Sequence, residues 1–444
     1  MSKPPHVQTH PNPTAALSLL GLAAALGIPG LAMTLSGFHP ADAPLLGLAV
    51  YGVAIVSAAF ILTWAAEVAE MEIGAGLAVV FLALVTVLPE YAVDMNLAWS
   101  AATVPARRAE ALANMTGANR LLIGLGWPTV ALIVWYRENR KGIALKTDRS
   151  GDVVWLGIAT LYSCVIPLKG TIAWYDAAAL LLCYGLYVKG SGRSGAEEEE
   201  HELVGPPRVM AVWPQRKRRA WIAVLFVWSA GAILASSEPF VASLEHAGDL
   251  LSIPRTHMIQ WIAPLASEAP EFVVVILLTL RGRAALALGA FISSKVNQWT
   301  LLVGGIPIAY GLSSAVHGLG WAPSMAVDGH QVEELWLTCA QGLYATATII
   351  DLHFSLKQAV AILVLFLVQF LGSILLEALG GHEFLTPFHY ALTILYGLLA
   401  IERFVTQRRD LRDRLRDEFG PRTPRASGGP PDHGGAGSPD EDDA

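Results

Sequence analysis

The 444-residue chain is 54% hydrophobic and only 15% charged, with a formal net charge of −7 and a mean hydropathy of +0.48. Soluble globular domains carry about 25% charge, so a soluble enzyme or binding module is excluded, and continuous apolar runs exclude the short alternating segments of a β-barrel. No basic stripe with interleaved aromatics points to nucleic acid. The cysteines Cys164, Cys183 and Cys339 lie in apolar runs without a CxxC pair, which argues against a disulfide framework or zinc.

A run of roughly 20 apolar residues is enough to cross the hydrocarbon as a helix. Twelve such spans are predicted: 14–36, 44–66, 75–100, 110–135, 152–168, 172–188, 220–244, 256–280, 284–312, 334–352, 358–378 and 386–402. Residues 1–13 form a short N-tail without a basic segment or an evident cleavage site, so the first run is expected to be a retained helix. Residues 189–219 form a polar linker with "EEEE" at 197–200 and "RKRR" at 216–219. Residues 405–444 begin as a charged amphipathic stretch and end as a Gly/Pro/Asp-rich tail expected to be disordered. Trp135, Trp155, Trp174 and Trp261 suit an interfacial belt.

The loops on the N-tail side hold 24 of the 30 lysines and arginines, and the opposite loops hold only Arg107, Arg108, Lys169 and Arg255. This asymmetry predicts an integral protein of the cell (inner) membrane with both termini cytoplasmic. The two remaining basic residues, Arg120 and Lys295, fall inside spans.

The chain also repeats. Glu271 follows Glu90 at the same separation at which Trp336, in "ELWLTCAQGLY", follows Trp155, in "VVWLGIATLY" (271 − 90 = 336 − 155). The repeats are expected over 44–188 and 220–378, with five spans each. An odd number of spans inserts the second copy upside down, the inverted architecture of many secondary transporters. The spans at 14–36 and 386–402 are additions.

Each repeat breaks a helix next to an acid. Pro89 has no N–H for the carbonyl of Val85, and Pro270 has none for that of Ala266. A freed carbonyl in hydrocarbon costs several kcal/mol unless it lines a cavity or meets a partner. Glu90 and Glu271 follow at once, and carbonyl plus carboxylate oxygens suit a hard cation. Thr86, Glu90 and Asp94 share one helix face; Ser267 and Glu271 share another, as do Glu268 and Glu271. Intramembrane acids usually mark ion pathways; the bland alternative is a pair of proline kinks with satisfied carboxylates.

These segments resemble the two α-repeats of the sodium/calcium exchanger family, whose signature is a Gly-Thr-Ser-x-Pro-Glu helix followed by one with Gly-Asn-x-x-Gly-Ser-Asn. The first signature reads "VTVLPE" from Val85 to Glu90 and "ASEAPE" from Ala266 to Glu271; the second reads "ANMTGAN" from Ala113 to Asn119 and "GAFISSK" from Gly289 to Lys295. The resemblance implies metal coordination by Glu90 and Glu271, with Thr86 and Ser267 beside them. It places Asn114 and Asn119 as ligands in the first copy, where the second has Ala290 and Lys295. Val87 and Glu268 replace the family's serine.

Lys295 puts an ammonium where the family has a ligand. Paired with Glu271 or Glu268, it would take the space of one transported cation; alternatively, Lys295 and Arg120 are structural salt-bridge partners or reach an interface. Glu67, Glu70 and Glu72 would funnel cations or form a solvated face, Glu238 would sit near a mouth of the pathway, and Asp176 and Asp351 are expected to be structural. No nucleophile–base set, metal triad or phosphate loop suggests an enzyme, and no cofactor is expected beyond transported Ca2+ or Na+ as substrate. The expected partners are small cations, protons and the lipid bilayer. The expected function is antiport of Ca2+ or Na+ against H+ or Na+ by alternating access. The alternative is a non-transporting regulatory relative whose site is locked by a Lys295 ion pair.

Overall fold

The computed structural model describes residues 13–72, 88–146, 149–191, 203, 205–253 and 255–420. The described chain is predominantly helical. In order, it forms α1 (Pro13–Leu35), α2 (Pro44–Glu70), α3 (Leu88–Ser100), α4 (Arg107–Leu121), α5 (Trp127–Glu138), α6 (Ser150–Ser163), α7 (Val165–Lys169), α8 (Trp174–Ser191) and α9 (Pro206–Ala211). It continues with α10 (Gln215–Leu251), α11 (Arg255–Leu280), α12 (Ala284–Asn297), α13 (Val303–Val316), α14 (Gly329–Thr348), α15 (Leu356–Ala378), α16 (His382–Thr406) and α17 (Arg408–Phe419). Single π-helical turns at Leu122–Gly126 and Gln298–Leu302 join α4 to α5 and α12 to α13.

Among the described residues, eight helical runs are long and apolar enough to cross a bilayer, and α11 makes a ninth if its bent halves count as one span. Helices also cover the other predicted spans, apart from 75–87, which lies outside the described residues. Of these, α14 carries buried Glu333, Glu334 and Gln341, so other helices surround it and lipid does not. Its weak hydropathy thus reflects its position inside the bundle. The molecule is an all-α polytopic membrane protein.

Four three-residue strands show how the halves are related. β1 (Gly142–Ala144) pairs with β4 (His353–Ser355), and β2 (Thr171–Ala173) pairs with β3 (Ser324–Ala326), both antiparallel. β3 follows β1 at the same separation at which β4 follows β2 (324 − 142 = 353 − 171). Each pair therefore takes one strand from each repeat, and exchanging the repeats turns one pair into the other. The run Ser150–Lys169, itself one of the candidate spans, separates β1 from β2, so the pairs sit at opposite ends of the bundle. The two-fold axis relating the repeats thus lies in the membrane plane, and the second bundle is inverted.

Ion pairs agree with this sidedness. Glu72, after α2, accepts from Arg218 and Arg219 at the start of α10, while Arg107 at the other end meets Glu245 at 2.9 Å. Asp176 is buried under Lys169 and the Ala173 N–H, and Asp351 accepts from the His353 N–H at 2.9 Å; both are structural. Glu238 is exposed on α10. Two tryptophans depart from the expected belt. Trp135 and Trp174 are exposed, but Trp155 is buried and bonds Glu418 of α17, and Trp261 turns inward under Arg120. Hydropathy gives a residue's depth and not its azimuth, which is why the sequence misplaced them.

The site depends on a close approach of α4 to α11. A Cβ at Gly117 would lie 1.7 Å from the carbonyl oxygen of Gln260, so only glycine fits without backbone movement. Gly117→Ala is expected to cost about 1–3 kcal/mol, the usual size of an overpacking penalty; it would be seen as a lowered Tm in detergent. Glu72 carries a second expectation. Arg219 above all, with Arg218 and Gln215 behind it, holds its carboxyl down to about 2 against the raising effect of burial. A lowered folded-state value means the stabilisation is complete above the ordinary carboxylate range and fades as pH falls towards 2. At pH 7–8, Glu72→Gln should speed trypsin cleavage at Arg216–Arg219; an unchanged rate would show that this clasp does not hold the start of α10.

Candidate functional site

The acidic residues of the two repeats come together inside the bundle. α3 carries Glu90 and Asp94 one turn apart, both buried. α11 carries buried Glu268 and half-buried Glu271. The charges of Asp94 and Glu271 act on Glu90, and those of Glu90 and Glu271 act on Glu268, so the carboxylates form one electrostatic group across the repeat interface. α11 bends by 55° between His257–Ala269 and Glu271–Leu280, at the position of Pro270 and one turn after Ala266. Pro89 is buried as the second residue of α3. Val85 and Thr86 lie outside the described residues, so the first carbonyl and the threonine of the expected shell remain expectations.

A neutral side chain holds each of these carboxylates, with Gln298 serving both Glu90 and Glu268. Asn114 donates to Asp94 at 2.6 Å, Ser294 to Glu271 at 2.9 Å, and Gln298 to Glu268 at 2.7 Å. Six buried oxygens here have no hydrogen-bond partner among the described residues: Glu90 Oε1, Asp94 Oδ2, Asn114 Oδ1, Glu268 Oε2, Asn297 Oδ1 and Gln298 Oε1. All six are acceptors. A buried polar atom without a partner costs about 1–3 kcal/mol, and a run of acceptors with no donor among them is what a hard cation satisfies. Among the described residues, no three His, Cys, Asp or Glu side chains are grouped closely enough to form a metal cage by themselves. A cation shell here would therefore mix carboxylate with amide and carbonyl oxygens.

Several expected ligands lie elsewhere. Ser267 donates back to the carbonyls of Ala263 and Pro264 at 3.2 and 3.3 Å, within its own helix. Asn119 donates to the Met115 carbonyl at 2.9 Å, and its side-chain oxygen accepts from Lys295. Lys295 also bonds the Asn119 backbone oxygen at 2.5 Å, so the pairing expected with Glu271 or Glu268 is replaced by an amide clasp. Glu268 and Glu90 still act on it electrostatically. Arg120 turns away from the acids altogether. It pairs with Glu334, lies 5.1 Å over the Trp261 ring and bonds the Thr116 carbonyl at 3.3 Å. Gln260 donates to the same carboxylate at 3.1 Å, and His389 of α16 stands 3.5 Å from both Glu333 and Glu334. The structural salt-bridge reading holds for Arg120.

Ser294, Asn297 and Gln298 escaped the sequence reading. The second motif ends at Lys295, yet Ser294 and Gln298 lie one helical turn apart on one face. The π turns explain their place. Their first residues, Leu122 and Gln298, are separated by the same number of positions as Asn119 and Lys295 (298 − 122 = 295 − 119). A π turn rotates the helix beyond it and is common at functional sites.

Two inverted helical bundles with acids at a helix break on their shared interface define a polytopic cation transporter. The sodium/calcium exchanger protein family matches this chain over residues 43–191 and 221–375, and the chain belongs to that family. Among solved structures, the H+/Ca2+ exchanger CAX is 37% identical, with a TM-score of 0.83 over 91% of this chain and 98% of that one. YfkE matches at 14% identity and a TM-score of 0.55, over 79% of this chain and 97% of that one, which speaks to the fold alone. No curated protein sequence matches it.

The Arg120–Glu334 pair yields a stability test. Removing one partner of a buried pair strands the other charge and costs about 3–5 kcal/mol, while an apolar pair of similar volume is close to neutral. Glu334→Leu should lower the detergent Tm sharply, and adding Arg120→Met should recover most of the loss. If the double variant is no more stable than the single, the pair is not the source of the penalty.

Proposed function

We propose that the protein is a secondary active antiporter that exchanges Ca2+ for H+ by alternating access. The observation that carries this reading is the group of partnerless buried acceptors around Glu90, Asp94 and Glu268. The name of the 37%-identical relative, an H+/Ca2+ exchanger, favours Ca2+ and H+ over the other pairings of Ca2+ or Na+ with H+ or Na+.

The coupling rests on electrostatics. Charged carboxylates taken out of water are costly unless compensated. A site that holds bare acids therefore resists the switch between inward- and outward-facing states. Either Ca2+ or protons compensate the charge, and both use the same oxygens, so one must leave before the other binds. Glu90 and Glu271 are the shared ligands. Asp94, Glu268, Asn114, Ser294 and Gln298 complete and orient the shell, with Thr86 and the carbonyls of Val85 and Ala266 at the helix breaks. The basic loops favour a cytoplasmic side for both termini, in the cell membrane. The competing reading, a regulatory relative locked by Lys295, needs that ammonium on the carboxylates, whereas it is clasped by Asn119.

Reconstituted protein with a pH-sensitive dye inside the vesicles tests this. An imposed Ca2+ gradient should drive proton movement in the opposite direction, and Na+ or K+ gradients should not. Glu90→Gln and Glu271→Gln should each lower the exchange rate at least about 100-fold, the loss of a charge-assisted ligand worth roughly 3 kcal/mol, with unchanged gel-filtration profiles. Near-normal turnover in either variant overturns the site; conductance without counter-ion coupling would indicate a channel.

A further inference from the structure

Lys295 is 0% exposed, and its ammonium has the surroundings that a monovalent metal ion would choose. Its Nζ is bound by an amide oxygen and a backbone carbonyl, both from Asn119, and lies 5.3 Å over the ring of Trp299. Glu268 and Glu90 supply negative charge within electrostatic reach, and Arg120 adds positive charge. Lys295 and Asn119 also occupy corresponding positions, separated in the chain as the two π turns are (295 − 119 = 298 − 122), so the contact joins equivalent points of the two repeats. Amide and carbonyl oxygens, an aromatic face and nearby carboxylates are the ligands of Na+ or K+ as much as of an ammonium.

We infer that Lys295 is a built-in cation: its ammonium permanently fills a monovalent-cation site formed by the oxygens of Asn119 and the face of Trp299, and leaves a single exchangeable site beside it. This rests on the exchange reading above and deepens it. The fixed charge supplies what a bound Na+ would otherwise supply, so the transport cycle proceeds without a monovalent co-ion. Its tether to α12 means that it moves with the second repeat and never leaves. Lys295 is thus a specificity-determining residue, and its stem occupies the volume through which a free ion would come and go.

Lys295→Ala tests this, because it removes both charge and stem and leaves the Asn119 oxygens in place. In detergent at constant ionic strength, the Tm of the variant should rise by about 2–4 °C or more when choline is replaced by Na+, K+ or methylammonium, as expected for a ligand that binds only the folded state. The wild type should not respond. Lys295→Met keeps the stem, removes the charge and blocks the volume; it should be destabilised and indifferent to all three ions. Asn119→Ala added to Lys295→Ala should abolish the response. In proteoliposomes, Ca2+/H+ exchange by Lys295→Ala should be slow in choline and recover at least about fivefold in one of the three cations.

The Tm measurement does not depend on transport, so it can fail or succeed apart from the exchange reading. A folded Lys295→Ala that ignores all three cations overturns the inference. So does a wild type or a Lys295→Met that responds equally. If Lys295→Ala is monodisperse only when purified in one of these cations, the inference is supported; if it aggregates in all of them while Lys295→Met stays folded, it is overturned.

Discussion

The structure depends on one constraint: carboxylates that sit where water is scarce must have their charge answered. Glu90, Asp94, Glu268 and Glu271 meet at the interface of two inverted bundles, each steadied by a neutral donor, which for Glu90 and Glu268 is the same Gln298. That is too little to satisfy them and leaves acceptor oxygens over. The α4–α11 crossing at Gly117, the bend of α11 and the paired π turns all serve to bring those oxygens together. Nearby basic groups are kept off them. Arg120 is given its own acid, Glu334, and Lys295 its own amide, Asn119.

This separation of charges is what the proposed exchange requires. Had Arg120 or Lys295 closed on Glu90 or Glu268, the acids would have been satisfied within the protein and would have had no use for an ion. The helices outside the repeats take part as well. α16 lies beyond the family match, yet its buried His389 stands between Glu333 and Glu334, and so supports the acid that holds Arg120 away.

Much of the fold was legible in the sequence because its signals are strong and local. Apolar runs marked the helices, the matched spacing of Glu90–Glu271 and Trp155–Trp336 marked the repeat, and the two Pro-Glu pairs marked the breaks. The rest needed rotation about helix axes, which a single sequence does not carry. Trp155 and Trp261 read as interfacial and are turned inward; Ser267 read as a ligand and bonds its own helix. Gln298 and Ser294 carry no repeat signal, because the offset of the second motifs (295 − 119) sets them against the apolar Leu122 and Ala118 of the first copy. The partner of Lys295 was unreadable because half of it is a backbone oxygen.

The central claim is that the acids of the two repeats share one ion. The most direct test is anomalous diffraction from crystals grown with Sr2+ as a heavy analogue of Ca2+. The account predicts a single strong peak bounded by Glu90 and Glu271, with oxygens of Glu268 or Asp94 completing the shell, and no peak beside Asn119, where Lys295 sits. A peak at a different depth, or Glu90 and Glu271 turned apart with Sr2+ bound to neither, would contradict it.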